Sequence, residues 1–268
     1  MKQKRILLVS HWKMNVTSED QAVRLFNSIK NVLLRNTTTE MVVLPPHMYL
    51  NQVAREVSYP HYTVGAQDAF YEDEGNYTGE TSALMVKNAG AKYVLLGHHE
   101  RAHLETRADV AKKIISVLEK GLSPIVCFGE KERGKNWKKE LAEQVKESFA
   151  RVSKKEPERF VIAYEPAWAA YDGEEKHPAS AEQYNEAMEI IQAELKRLFK
   201  SAKAVQSMRF LYGGSLDDKN IEEYLRETEV DGFIIGRAAL DPRILMTMFR
   251  LIEEGTELRE IREFEKTQ

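Results

Sequence analysis

Phe160-Val161-Ile162-Ala163-Tyr164-Glu165-Pro166-Ala167-Trp168 is the stretch on which the fold turns. Its first five residues are apolar or aromatic without alternation, the pattern of a strand buried on both faces in a parallel sheet. One carboxylate and one proline end the run. A polar stretch containing Gly173 follows and reads as a hinged lid. Ser180-Ala181-Glu182-Gln183 is then a capping box, its hydroxyl and amide satisfying free backbone donors ahead of Met188, Ile191 and Leu195. Strand, turn and helix together make one βα unit.

Outward from it the same unit recurs. Further apolar runs lie at 6–9, 41–44, 62–65, 93–96, 124–128, 209–212 and 232–235, each before a stretch with helical spacing. The 268 residues divided among eight runs give about 34 residues per unit, the size of a strand-helix pair. Helix punctuation agrees. Ser18-Glu19-Asp20-Gln21 repeats the capping box, Gly121 is placed to end a helix over 110–120, and Asp241-Pro242 opens a helix that Gly255 is expected to stop.

No Pro/Ser/Gly-rich linker interrupts the chain, so a single domain is expected over 1–255, followed by a polar, helical tail at 256–268. Strict βα alternation allows an open doubly wound sheet or a closed barrel. There is no G-x-G-x-x-G after the first strand and no Walker loop, and eight units favour the α/β class with a closed (β/α)8 barrel.

Composition bounds the function. The chain is 43% apolar and 30% charged, ample for a core without staples. Its single cysteine, Cys127, excludes an internal disulfide framework and a multi-cysteine zinc site, and fits a reducing cytoplasm. A formal charge of -3 argues against a broad nucleic-acid surface, and the basic runs at 131–139 and 154–159 are interleaved with glutamates, as solvated helix faces are. The apolar run near the N-terminus is too short for a secretory signal, and no stretch reaches the length of a membrane span.

In a (β/α)8 barrel, catalytic groups follow the strands, at the C-terminal rim. That rule selects His11, Trp12 and Lys13 after the first strand and His98, His99, Glu100 and Arg101 after the fourth. Glu130, Glu165, Gly213-Gly214-Ser215 and Gly236-Arg237 follow the fifth to eighth. Singly, each has a blander account: a strand-end glutamate usually caps a helix, a lone lysine is usually solvated, and paired glycines make tight turns. Together on one rim they supply a base, an imidazole, an ammonium and two turns suited to an anion. A metal is disfavoured, because the adjacent side chains of His98 and His99 are expected to diverge and no H-E-x-x-H helix exists. Cys127, inside an apolar run, reads as a buried filler.

The chain resembles the triosephosphate isomerase family through His11-Trp12-Lys13-Met14-Asn15, Gly65-Ala66-Gln67-Asp68, Tyr77-Thr78-Gly79-Glu80 and Leu96-Gly97-His98-His99-Glu100-Arg101. The resemblance continues through Val126-Cys127-Phe128-Gly129-Glu130, Ala163-Tyr164-Glu165-Pro166-Ala167-Trp168, Tyr212-Gly213-Gly214-Ser215 and Asp231-Gly232-Phe233, in order, to about Leu240. It implies a TIM barrel and cofactor-free interconversion of an aldose and a ketose phosphate through an enediolate, a step of glycolysis and gluconeogenesis. It further implies Glu165 as general base, His98 as electrophilic imidazole and Lys13 as the substrate-binding lysine. Ser215, Gly236 and the loop near Tyr171 would grip phosphate, Glu100 would support Lys13, and Arg101 would be a structural ion-pairing residue. Thr78 falls on a loop that enters a partner subunit, so a homodimer through the loop from Gly75 to Glu80 is implied, with no nucleic-acid or membrane partner.

Departures cluster near the substrate. His11 stands for an asparagine that touches substrate oxygens, His99 for a serine, Tyr171 for a lid glycine, and Arg237 for a glycine that approaches phosphate. The expected reaction is triose-phosphate isomerisation. Its rivals are isomerisation of a four-carbon ketose phosphate and a non-catalytic sugar-phosphate-binding role. For Arg237, contact with phosphate and pairing with Asp241 are both open.

Overall fold

A computed structural model describes residues 4–30, 39–58, 61–170 and 177–266. Among them, eight parallel strands close into a barrel in the order of the chain. They are β1 (Ile6–His11), β2 (Thr39–Leu44), β3 (Tyr62–Ala66), β4 (Tyr93–Leu96), β5 (Ser123–Phe128), β6 (Val161–Tyr164), β7 (Arg209–Tyr212) and β8 (Gly232–Ile235). Closure is made by β1, which pairs with β2 at Ser10↔Val43 and with β8 at Ser10↔Ile235. Every expected run is a strand.

The helices that matter for the site are α1 (Glu19–Ile29), α2 (Leu50–Glu56), α3 (Ala83–Asn88), α4 (Arg107–Glu119), α5 (Trp137–Phe149) and α6 (Ala181–Phe199). After α7 (Ala202–Ser207) come α8 (Ile221–Glu227) and α9 (Pro242–Lys266). The capping box at Ser180 and Gln183 is formed in both directions. At α1 it is half formed: Ser18 accepts from the Gln21 N–H, while the Gln21 side chain accepts from Thr17 instead. Gly121 takes the left-handed φ of 78° that lets α4 end.

Gly255 does not stop α9, which runs through it to Lys266. A Cβ there would lie 3.0 Å from Cδ1 of Leu225, so the missing side chain lets α9 approach α8. No break in secondary structure marks the boundary expected at 255.

The strands read as unbroken apolar runs because each has two buried faces. Ile6 and Leu8 of β1 belong to the layer between sheet and helices, whereas Leu7 and Val9 line the lumen with Val42, Leu95, Ile125 and Cys127. Side chains alternate with period two. The lumen parity of Leu7 and Val9 therefore continues to His11, and that of Val161 and Ala163 continues to Glu165. Both polar side chains are buried where the lumen opens, and the parity of Leu211 brings Gly213 to the same level. A Cβ on Gly213 would sit 3.4 Å from Cδ of Glu165, so its absence keeps space at the mouth.

Candidate active site

The C-terminal mouth of the barrel holds a cavity of about 520 Å³. His11, Lys13, His99, Glu100, Glu165 and Arg237 are among its lining residues, together with Ser215 and Gly236. The rim rule thus brings together residues from five different strand ends.

Glu165 lines it and is hydrogen-bonded to His98, which lines a second cavity on the other side of the pair. His98 is buried at 3% exposure and Glu165 at 8%, with Nε2 of the imidazole 3.1 Å from Oε1 of the carboxylate. Beyond β4 the chain makes a short 3-10 turn, His99–Arg101, and His98 caps it: Nδ1 accepts the backbone N–H of Glu100 at 3.2 Å. A nitrogen that accepts carries no proton, so the ring is neutral with its hydrogen on Nε2, donated to Glu165. Burial alone would raise the pKa of Glu165. The hydrogen bond that Glu165 accepts from His98 opposes burial and favours the ionised carboxylate, holding its pKa below the ordinary value. The other oxygen, Oε2, has no hydrogen-bond partner among the described residues. The centre is an ionised base with one lone-pair edge open, beside an imidazole N–H.

Lys13 follows β1 with a left-handed φ of 51°, a conformation that costs a non-glycine residue about 1–3 kcal/mol. Gln67 holds it there, donating Nε2 hydrogen bonds of 2.9 Å to the carbonyls of Lys13 and Leu44. The ammonium lies 2.7 Å from Oε1 of Glu100, whose carboxyl is half-buried; burial opposes ionisation, but the bond from Lys13 prevails and lowers its pKa.

Two histidines frame the centre. His11 meets His98 edge-on at 5.1 Å, and burial, then His98, depress its pKa far enough to keep it neutral. Its Nδ1 has no hydrogen-bond partner among the described residues. The rings of His98 and His99 do not diverge, contrary to the sequence expectation. They stack at 4.4 Å with 29° between planes, because the 3-10 turn folds His99 back over its neighbour. Ligand atoms of His98, His99 and Glu165 consequently lie within 4.8 Å of one another. The tautomer of His98 opposes their use as a metal site. Coordination through Nε2 would move its proton to Nδ1, against the Glu100 N–H.

The remaining candidates separate by position. Ser215 adopts a φ of 45°, and its hydroxyl has no hydrogen-bond partner among the described residues. Gly236 precedes the 3-10 turn Arg237–Leu240, and exposed Arg237 starts it at the cavity wall. Asp241 is engaged by Arg243, at 3.1 Å. Arg101 reaches Asp68 at 2.9 Å, and buried Lys113 reaches the same carboxylate at 2.8 Å and also pairs with Glu105, tying the end of β3 to α4. Glu130 stands apart from the His98–Glu165 pair. Its Oε1 accepts from Tyr164 at 2.8 Å and Trp168 at 3.0 Å, which fixes the chain just after β6. Cys127 lies in the lumen beneath, and burial raises its thiol pKa well above the ordinary value, so it is an inert filler. Tyr171 and the expected lid around Gly173 lie outside the described residues.

Gln67 was absent from the sequence-derived site, and His99, selected by the strand-end rule, was given no role there. Gln67 is the first polar residue after β3, so extending the same strand-end rule to that strand would have found it. His99 required the stacking geometry, which no pattern encodes.

A carboxylate base, a neutral imidazole donor and a lysine at the mouth of a (β/α)8 barrel are the parts of an enolising isomerase. The match to known sequences is of the same kind: residues 6–252 fit the triosephosphate isomerase family. A triosephosphate isomerase of Thermoanaerobacter sp. (strain X514) is 38% identical over 243 residues, covering 88% of this chain and 95% of that protein. One from Dictyoglomus turgidum is 34% identical over 253 residues, covering 92% and 99%. The chain belongs to the triosephosphate isomerase family.

Proposed function

We propose that the protein interconverts dihydroxyacetone phosphate and glyceraldehyde 3-phosphate without a metal or organic cofactor. The observation that carries this is the buried pair His98–Glu165, with a neutral imidazole N–H 3.1 Å from an ionised carboxylate. Enolisation removes a weakly acidic proton from the carbon beside a carbonyl, so a base must act while charge on oxygen is stabilised. Glu165 takes the proton and returns it to the adjacent carbon. His98 donates Nε2–H to the carbonyl oxygen as it becomes an enediolate, and Lys13 offsets the negative charge. The phosphate rests at the turns of Ser215 and Gly236, which line the cavity together with Arg237.

The unpartnered Nδ1 atoms of His11 and His99 support one further reading, a four-carbon ketose phosphate whose extra hydroxyl satisfies them. An assay across three- and four-carbon aldose and ketose phosphates separates the two, and no turnover of any would leave a sugar-phosphate-binding role.

A homodimer is part of the proposal. The loop from Gly75 to Glu80 presents Tyr77 at 43% exposure and an exposed Thr78, while Met14 and Met48 are 89% and 87% exposed. These are the side chains that a second copy would cover. The single buried cysteine fits a cytoplasmic location, and no described helix is long and apolar enough to cross a membrane.

A further inference from the structure

Arg107 is the first residue of α4, where a solvated side chain would be the ordinary choice, yet its guanidinium turns back across the barrel mouth. Nη1 donates to the carbonyl of Cys127 at 2.9 Å and to that of Gly97 at 3.4 Å, and Nη2 donates to Oε1 of Gln144 at 2.7 Å. The β4–β5 ladder ends at Leu96↔Val126, so Gly97 and Cys127 lie just past the last pair. Arg107 continues the pairing where the ladder stops.

Gln144, on α5, extends the contact. With Oε1 engaged by Arg107, its amide is oriented so that Nε2 donates to the carbonyl of Gly129 at 3.0 Å, while the Gly129 N–H reaches Oε1 at 3.3 Å. Gly129 lies directly against the backbone of Glu165: a Cβ there would come within 2.2 Å of the Glu165 carbonyl oxygen. The Glu165 N–H donates in turn to Phe128 at 2.7 Å. On the other side, Gly97 is the residue before His98. One guanidinium therefore touches the chain next to the imidazole and, through one amide, the chain next to the base.

We propose that Arg107 is a positioning residue that sets the separation of His98 and Glu165 by bracing the ends of β4 and β5, an inference that rests on the enolising role given to that pair. A forked cationic donor suits the task, since one side chain meets three acceptors at once. Neither Arg107 nor Gln144 lines the cavity beside Glu165, so their effect passes through backbone.

A second cavity, of about 590 Å³, is lined by Arg107, Gln144, His98, His99 and Ala167, so a small cation can reach the brace from solvent. This makes Arg107→Ala testable by adding back guanidinium at low millimolar concentration. Misplacement of reacting groups by ~1 Å costs on the order of 100-fold, so kcat is expected to fall by about 10- to 100-fold while KM stays within about threefold. Guanidinium recovers most of kcat; sodium chloride and urea at the same concentration do not. The downfield NMR resonance of the His98 Nε2 proton shifts or broadens in the variant and returns with guanidinium. That readout stands even if the parent protein turns over no triose phosphate, so failure of the functional reading and failure of this inference are distinguishable. Should Arg107→Ala not fold, Arg107→Lys and Gln144→Ala are read in the same two ways, each expected to show the same loss in smaller degree. A folded variant with unchanged kcat and an unmoved His98 resonance overturns the proposal. So does guanidinium that restores thermal stability but neither kcat nor the resonance.

Discussion

Nε2 of His98 and Oε1 of Glu165 face each other across 3.1 Å, and the proton between them belongs to the imidazole because Nδ1 is occupied by the Glu100 N–H. A short 3-10 turn thus fixes which nitrogen of the imidazole faces the carboxylate with its proton. The enolisation proposed above needs both: a histidine that donates and a glutamate that accepts.

Metal removal is the simplest check on that arrangement. Because Nε2 of His98 carries its proton, turnover is expected to be unaffected by excess EDTA. Loss of activity on chelation, restored by a divalent ion, would show that His98, His99 and Glu165 act as ligands instead.

Lys13→Ala is expected to raise KM and lower kcat together, since in the proposed reaction its ammonium meets the substrate before and during enolisation. Gln67→Ala should imitate it weakly. That variant leaves every charge in place but frees the left-handed backbone of Lys13, losing two hydrogen bonds worth about 1 kcal/mol each. Steady-state kinetics on the two variants checks the order.

His11→Asn removes a buried imidazole whose Nδ1 is unpartnered. If that nitrogen serves an extra hydroxyl, the preference for four-carbon over three-carbon ketose phosphate should drop by about fivefold, one hydrogen bond of roughly 1 kcal/mol. An unchanged ratio of kcat/KM values would remove His11 from specificity.

Stability offers two separate tests. Lys113→Met leaves the buried carboxylates of Asp68 and Glu105 with Arg101 as their only ion-pair partner among the described residues, and breaking such a pair costs about 3–5 kcal/mol, measurable by urea unfolding. Asp109 is milder. The Thr106 hydroxyl and N–H, then Lys112, depress its pKa from 3.8 to about 2. A depressed carboxyl contributes stability that is full above its unfolded pKa and lost as pH falls through the folded value. Asp109→Asn should therefore be less stable than the parent at neutral pH, with the gap closing between pH 3.8 and about 2. A gap that stays constant across that window would assign the effect to something other than the carboxylate.

What could be read from the sequence followed physical simplicity. The strands were legible because both faces of each are buried, which writes an apolar run into the chain. Lys13, His98 and Glu165 were legible because polar residues end those runs at one rim. Local signals misled where tertiary contact overrides them. Gly255 looks like a helix stop, but it answers to Leu225 on another helix. His99 was expected to point away from His98, and the turn after β4 stacks them. Arg107 and Gln144 gave no sign at all, since polar residues on amphipathic helices usually face solvent and nothing local marks the two that turn inward.

In the proposed reaction Glu165 carries the proton between adjacent carbons of the substrate. The most direct test is turnover of dihydroxyacetone phosphate in deuterium oxide, followed by proton NMR, for the parent and for Glu165→Gln. A carboxylate that holds the proton exposes it to solvent, so the parent product should carry deuterium on the carbon that receives it. The variant should slow by about 100- to 10,000-fold, the usual contribution of a general base. Conversion by the variant at the parent rate, with the same label, would place the base elsewhere and contradict the account.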